Sequence, residues 1–499
     1  MSPDSQPQND DQSDARTKSA AGTLSQRIVV GTAWIMAGRV LSILALLAGN
    51  VLLSHRLSDA EFGAYLMASF LMPFFAVLAN WGSQEILMRE VRASLVAGDS
   101  ARAWWAIRFC VTICAGASLL VGCGLAGVMG SWRAEQAHWI VLQDHVVLIA
   151  LWIFFQTMGQ VASEACRGCG QFGWSVALYT KSGGAATNVL AVLFFLAAWP
   201  TMQPADFTVV LILQVLASAL PAIAGFIALS RNLGAAFEHH NASPPITDDS
   251  AARAPDPTIA WFVKESWPLL VSYTVIIGIE QLDILVVGLV VVDDSSLADY
   301  GVAKRLLSVI NFAFVSLAPA ITPFVAELHQ RRDHDRMQKL LQGAATVVAV
   351  PTVLLCAGLF LLAGPVIAAS FGESRLGAVP ALRVMLAGQV LLSLAGHSYL
   401  ALAMTGRQTS LMHCSLVVGV IYLVVGPALT MLWGIVGAGA AKSLATAARA
   451  ALAAILVRRE LGIWTTASLS PAVVRATCQI AANRTRKALR LGSRGTRQI

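Results

Sequence analysis

Val347-Val-Ala-Val-Pro-Thr-Val-Leu-Leu-Cys356-Ala-Gly-Leu-Phe-Leu-Leu-Ala-Gly-Pro-Val-Ile-Ala-Ala369 contains no charged side chain. About 20 apolar residues rising 1.5 Å each cross a hydrocarbon core of roughly 30 Å, and this run is long enough to do so. Ile28 to Leu53 repeats the pattern with one charge, Arg39. In lipid only helices and closed barrels satisfy the backbone, and barrel strands alternate polar with apolar residues, which these runs do not. The composition agrees: 13% of the 499 residues are charged and 56% are hydrophobic. A soluble surface needs about 25% charged residues. The chain therefore reads as an all-α polytopic membrane protein.

Apolar runs between charged or Gly/Pro-rich breaks predict about twelve transmembrane helices. They lie near 28–53, 64–83, 105–129, 144–163, 175–198, 207–230, 267–291, 301–325, 341–369, 378–401, 410–431 and 435–457. The ninth is long enough to tilt, or to break near Gly364-Pro365. With both termini on one side, about 26 Lys and Arg fall in connections on that side and about six on the other. Such a bias predicts both termini in the cytoplasm. The first apolar run is too long for a cleavable signal, so it is expected to stay in the membrane.

The connection after span six, Asn241-Ala-Ser-Pro-Pro-Ile-Thr-Asp-Asp-Ser-Ala-Ala-Arg-Ala-Pro-Asp-Pro257, is a flexible linker by composition. It divides the chain into a disordered leader (1–27), a first six-helix bundle (28–230), the linker (231–259), a second bundle (260–457) and a basic tail (458–499). Glu61-Phe62-Gly63 precedes span two and Asp299-Tyr300-Gly301 precedes span eight. Glu90 corresponds in the same way to Glu327, and Gly170 to Gly406. All share an offset of about 236–238 residues, the signature of an internal repeat. Six is even, so the two bundles are parallel and related by a pseudo-twofold axis along the membrane normal.

No P-loop, HExxH or GxSxG in a strand–turn–helix setting is present, so no enzyme and no cofactor are expected. The +7 net charge gathers in loops and tail rather than on a nucleic-acid surface, and no nucleic-acid partner is expected. Cys166-Arg-Gly-Cys169 is a lone CxxC, short of the four ligands of a zinc site, and no metal is expected. Trp81, Trp104, Trp105, Trp132, Trp139, Trp261 and Trp267 stand at span ends as interface anchors.

Charges within spans are the informative residues, because each costs roughly 2.5–3.5 kcal/mol at the bilayer centre. Arg39 lies in span one. Glu280 and Asp283 share a face of span seven. Lys304 and Arg305 open span eight. Lys442 and Arg449 share a face of span twelve. Gln156, Gln160 and His397 add polar groups, His397 as a core histidine. One reading is a cationic cavity between the bundles for a phosphate or diphosphate headgroup, with Arg39, Lys304, Arg305, Lys442 and Arg449 binding it. Asp283 or Glu280 would carry a coupling ion. The alternative is internal neutralisation, in which Arg39 pairs with Asp283 while Lys304 and Arg305 snorkel to headgroups.

Leu57-Ser-Asp-Ala-Glu61-Phe62-Gly63-Ala-Tyr65 resembles the opening of polysaccharide-type flippases. These are lipid-linked oligosaccharide translocases of the multidrug/oligosaccharidyl-lipid/polysaccharide exporter superfamily. Glu265-Ser-Trp-Pro268, Gln281-Leu-Asp283-Ile-Leu-Val-Val-Gly288, Asp299-Tyr300-Gly301-Val-Ala-Lys-Arg305 and the Arg167-Gly168-x-Gly170-Gln171 turn extend the resemblance over about 25–457. It implies translocation of a polyprenyl-diphosphate-linked oligosaccharide by alternating access. It further implies a bacterial inner membrane and partners comprising the lipid-linked glycan, the bilayer and a polysaccharide polymerase or assembly complex. Rival readings are a cation-coupled multidrug exporter of the same superfamily and a non-transport scaffold of a glycan assembly complex. A major-facilitator transporter would carry Gly-x-x-x-Asp-Arg-x-Gly-Arg after span two, where this chain has Arg89-Glu-Val-Arg-Ala-Ser-Leu.

Overall fold

A computed structural model describes residues 37–132, 135–178, 184–200, 206–241, 259–291, 293–405 and 407–468. Among them all regular structure is helical. The first half comprises α1 (Ala37–Ser54), α2 (Asp59–Asn80), α3 (Ser83–Ala97), α4 (Ser100–Ser131), α5 (Ala137–Asp144), α6 (Val146–Gly168), α7 (Phe172–Leu178), α8 (Ala185–Ala198) and α9 (Phe207–Asn241). The second comprises α10 (Ile259–Val290), α11 (Asp294–Gln330), α12 (His334–Phe371), α13 (Ala378–Ala395), α14 (Ser398–Met404) and α15 (Gln408–Leu461). Among the described residues eight helices are long and apolar enough to cross a membrane, and the expected spans fall on α1, α2, α4, α6, α7 with α8, and α9; then α10, α11, α12, α13 with α14, and the two arms of α15. The arms meet at Trp433 and Gly434, whose φ of 56° and ψ of −140° only glycine adopts readily. The outward surface is apolar, with Leu120 75% and Leu361 73% exposed, as lipid rather than water demands.

Sequence and local physics explain the boundaries. Ser58 begins α2 with a capping box: its side chain accepts from the Glu61 amide, and Glu61 accepts from the Ser58 amide at 2.9 Å. Helix α12 is continuous through both Pro351 and Pro365, so the ninth span does not break. Its 38 residues extend about 57 Å, well beyond the apolar layer. Helix α9 runs past Arg231 to Asn241, into the expected linker, and 242–258 lie outside the described residues, as do the leader 1–36 and the tail from 469. The tail's first residues pack on the second half: the Ala467 amide donates to the Leu394 carbonyl at 2.9 Å, and Ser398 and Thr465 hydroxyls lie 2.6 Å apart.

The two repeats meet through equivalent positions. A side chain on Gly63 of α2 would meet Leu297 of α11 at 3.3 Å, and one on Gly301 of α11 would meet Leu66 of α2 at 2.5 Å. Gly301 leaves no room for a Cβ against Leu66, whereas at Gly63 the Leu297 side chain would give by only a few tenths of an ångström, and this close crossing joins one helix from each repeat. At the end of the bundle carrying Arg375, the halves are fastened. The Arg375 guanidinium donates to Asp59 at 2.7 Å, His138 pairs with Asp294, and the Trp139 indole donates to the Gly288 carbonyl at 2.8 Å. Trp139 is thus a buried inter-half contact rather than a lipid-interface anchor, because its N–H finds a partner only across the repeat boundary. At the opposite end, carrying Arg167, the cores separate. One apolar cluster (Ile86, Leu87, Val161, Leu233) belongs to the first half and another (Val325, Leu341, Val457) to the second. Phe262 of α10 is buried in the first of these, edge-on to Phe109 at 4.9 Å.

Candidate functional site

Three helices of the second half converge on Asp283, which is fully buried in α10. Tyr300 and Lys304 lie one turn apart on α11, and both reach it: the Tyr300 hydroxyl donates to Oδ2 at 2.9 Å, and Lys304 forms an ion pair with Oδ1. Lys442, on the second arm of α15, pairs with Oδ2 at 2.8 Å. The lysines also donate into the backbone, Lys442 to the Glu280 carbonyl at 2.8 Å and Lys304 to the same oxygen at 3.3 Å. One turn back along α10, Glu280 receives Arg449 at 3.4 Å.

Arg305 faces the other way, donating to Ser69 of α2 at 2.9 Å, with its guanidinium 4.2 Å from the Phe70 ring centroid. Lys304 lies 4.6 Å from the same centroid. Lys304 and Arg305 are each 5% exposed and therefore do not snorkel. The reason is a longer helix: α11 starts at Asp294 rather than near 301, which places both cations about three turns inside it.

A cavity of about 130 Å³ opens on this cluster, lined by Glu280, Lys304, Lys442 and Arg449. Neutral polar groups from Asn311, Gln389, Ser443 and Thr446 complete its wall, and Phe70 is its one first-half residue. Three cations thus surround two carboxylates, with Arg305 turned away toward α2. Burying net charge is costly in a low-dielectric interior, so this site gains free energy from an additional anion.

Of the residues singled out in the sequence, Lys304, Lys442, Arg449, Asp283 and Glu280 come together, with Arg305 adjacent. Arg39 does not join them. Asp283 lies about 10 Å from the Val290 end of α10, whereas Arg39 lies about 22 Å from the Ser54 end of α1, so the two differ in depth. Arg39 instead sits close enough to Arg167 to feel its charge. Gln160 accepts from Asn80 at 2.6 Å within the first half, and His397 is buried where α13 gives way to α14. Tyr300 was the missing participant. Its signal was present in Asp299-Tyr300-Gly301, where a tyrosine one turn before a buried lysine faces the same partner. No cluster of metal-ligand residues occurs among the described residues.

At the rim of the Arg375 end, Asp299 is buried in the first turns of α11, and its Oδ1 has no hydrogen-bond partner among the described residues. Burial pushes its carboxyl up to about 7. The Arg375 guanidinium opposes that shift, and Asp59 and Asp293 add to it.

The helical architecture is similar to that of solved transporters of the MOP superfamily. An inward-facing multidrug resistance MATE family transporter of that superfamily superposes with a TM-score of 0.63 at 14% identity, covering 84% of this chain and 94% of that one. The lipid II flippase MurJ in an inward closed conformation gives 0.59 at 14%, covering 85% and 87%. A MOP superfamily transporter from Pyrococcus furiosus, whose binding pocket is described as reversed in polarity, gives 0.59 at 15%, covering 87% and 95%. No curated protein sequence matches the chain. The model of the family described as polysaccharide biosynthesis protein matches residues 28–329, more than half of the chain. The protein belongs to that family.

Proposed function

We propose that this protein is a flippase that carries a polyprenyl-diphosphate-linked oligosaccharide across a bacterial inner membrane by alternating access, for export of a polysaccharide precursor. The observation that carries the reading is Asp283 held between Lys304 and Lys442 beside Arg449, at the wall between two repeats. Asp283 acts as an internal stand-in for the substrate's phosphate. A diphosphate entering the cavity offers the lysines more negative charge than one carboxylate, and it draws them away from Asp283. Membership of a polysaccharide biosynthesis family supports the glycan.

The Arg167 end, rich in Lys and Arg, is cytoplasmic on the positive-inside rule, which makes the fastened Arg375 end the outer one. The conformation described is then closed outward, ready to receive a substrate assembled in the cytoplasm. Outward opening requires release of Asp59 from Arg375 and of His138 from Asp294. Both Asp283 oxygens are engaged by lysines, so a coupling cation reaches Asp283 only after substrate has displaced them. Glu280 is the more accessible carboxylate. Arg39, near the cytoplasmic end, contributes as an entry cation.

The test uses proteoliposomes loaded with a fluorescent polyprenyl-diphosphate oligosaccharide. Movement between leaflets is read by quenching from outside. Lys304→Ala with Lys442→Ala is expected to abolish movement while leaving a monodisperse protein. Unchanged movement would overturn the reading. The competing reading, a multidrug exporter, draws on the likeness to the MATE transporter. The excess of cations over carboxylates at the cavity weighs against a cationic drug there. Saturable efflux of a cationic dye that depends on Glu280 would favour it.

A further inference from the structure

The mechanism leaves unused the neutral wall of the cavity. On α11, Lys304 and Asn311 are seven residues apart, two turns or about 10 Å along one face. Helix α13 runs in the same direction and brings Gln389, which is buried, to the depth of Asn311. The Gln389 Nε2 donates to Asn311 Oδ1 at 3.2 Å. A primary amide offers two N–H donors and an acceptor with two lone pairs. This bond therefore leaves Asn311 Nδ2 and Gln389 Oε1 with no other partner among the described residues. One donor and one acceptor stand side by side in the cavity wall. The count is the same if both amides are turned over, since the bond then runs the other way.

A hydroxyl that both donates and accepts satisfies this pair. In a lipid-linked glycan the first sugar follows the diphosphate directly, and the amide pair lies two turns from the lysines on the cytoplasmic side. We propose that Asn311 and Gln389 form a sugar-reading subsite that binds a hydroxyl of the sugar attached to the diphosphate. The proposal rests on the flippase reading and deepens it: the lysines take the charge, and the amides check that a sugar is attached. Phosphates without a sugar use only the cationic part of the site. A bare carrier lipid therefore binds without the amide contribution and is a poorer passenger.

The experiment compares two probes on purified protein, a polyprenyl diphosphate and the same lipid carrying a single hexose, by equilibrium binding in detergent. The variants are Asn311→Ala and Gln389→Met, each first shown to be monodisperse with an unchanged melting temperature, and Lys442→Ala, first shown to be monodisperse. Gln389→Met retains side-chain volume, so an effect there is not the result of a cavity. Wild type is expected to prefer the glycosylated lipid. Each amide variant is expected to lose about tenfold in affinity for that lipid while binding the bare diphosphate unchanged. Lys442→Ala should weaken both probes. Equal losses on both probes in the amide variants, or no loss on the glycosylated one, would overturn the subsite. Failure of wild type to bind either probe would overturn the flippase reading instead, and the subsite with it.

Discussion

The two halves share a fold and differ in their buried chemistry. In the middle of the first half the buried pairs are neutral: Asn80 donates to Gln160 at 2.6 Å, Asn188 to Ser42 at 2.9 Å, and Tyr65 to Gln214 at 3.4 Å, while its buried carboxylates Glu90 and Glu164 pair with Arg102 and Arg167 toward the Arg167 end. The second half is held by charges, Asp283 with two lysines and Glu280 with Arg449. Neutral interhelical hydrogen bonds in a membrane protein are worth about 0.6–2 kcal/mol and cost little to bury. A buried ion pair contributes less net stability than its Coulomb energy suggests, because desolvation offsets it. The charged cluster of the second half therefore bears a desolvation cost that an anion beside its cations would offset.

The sharpest way to break this comparison is to remove Asp283. Asp283→Ala leaves Lys304 and Lys442 without their carboxylate, which is expected to cost about 3–5 kcal/mol and to lower the melting temperature in detergent. Added inorganic diphosphate should restore much of that loss if the lysines form an anion site. No recovery at millimolar diphosphate would count against it. The neutral half should respond differently. Gln160→Leu leaves Asn80 Nδ2 with only the Ala76 carbonyl and is expected to cost about 0.5–1.5 kcal/mol, with no rescue by diphosphate. Rescue there would erase the distinction between the halves.

The fastening at the Arg375 end offers two smaller tests. Arg375→Ala removes the Asp59 partner and should shift spin labels at positions 137 and 373 toward longer separations, read by pulsed electron resonance. An unchanged distance distribution would show that the His138 and Trp139 contacts suffice. Asp299 adds a pH dependence. Its carboxyl is raised to about 7 in the closed arrangement, so closure retains a proton that an opened, hydrated carboxylate releases. The closed form therefore loses stability relative to the open one as pH climbs from the ordinary carboxylate range to about 7, and the difference levels off above that. Arg375, Asp59 and Asp293 face the group and set the size of the effect. Asp299→Asn is expected to flatten the same distance measurement across pH 5–8, and a persisting pH response would assign it elsewhere.

Several features were legible before any coordinates. Glu61-Phe62-Gly63 and its repeat partner Asp299-Tyr300-Gly301 mark the starts of matching helices. Glu280 and Asp283, like Lys442 and Arg449, fall on single faces by helical spacing. The start of α11 at Asp294 was hidden: Asp294 and Asp299 read as loop, although the helix begins there and lifts Lys304 away from the headgroups.

From its own order of residues, this chain determined a membrane-spanning helical protein, twelve passes in two related sets, and the short roster of charges within them. Apolar length and charge spacing along one dimension are enough for that, since lipid excludes unpaired backbone and penalises each ion. Which charges meet was decided only in three dimensions. Depth along each helix and rotation about its axis place Lys442, distant in sequence, on Asp283 while leaving Arg39 near Arg167. A buried cation is tolerable only where a partner from another helix arrives at the same depth.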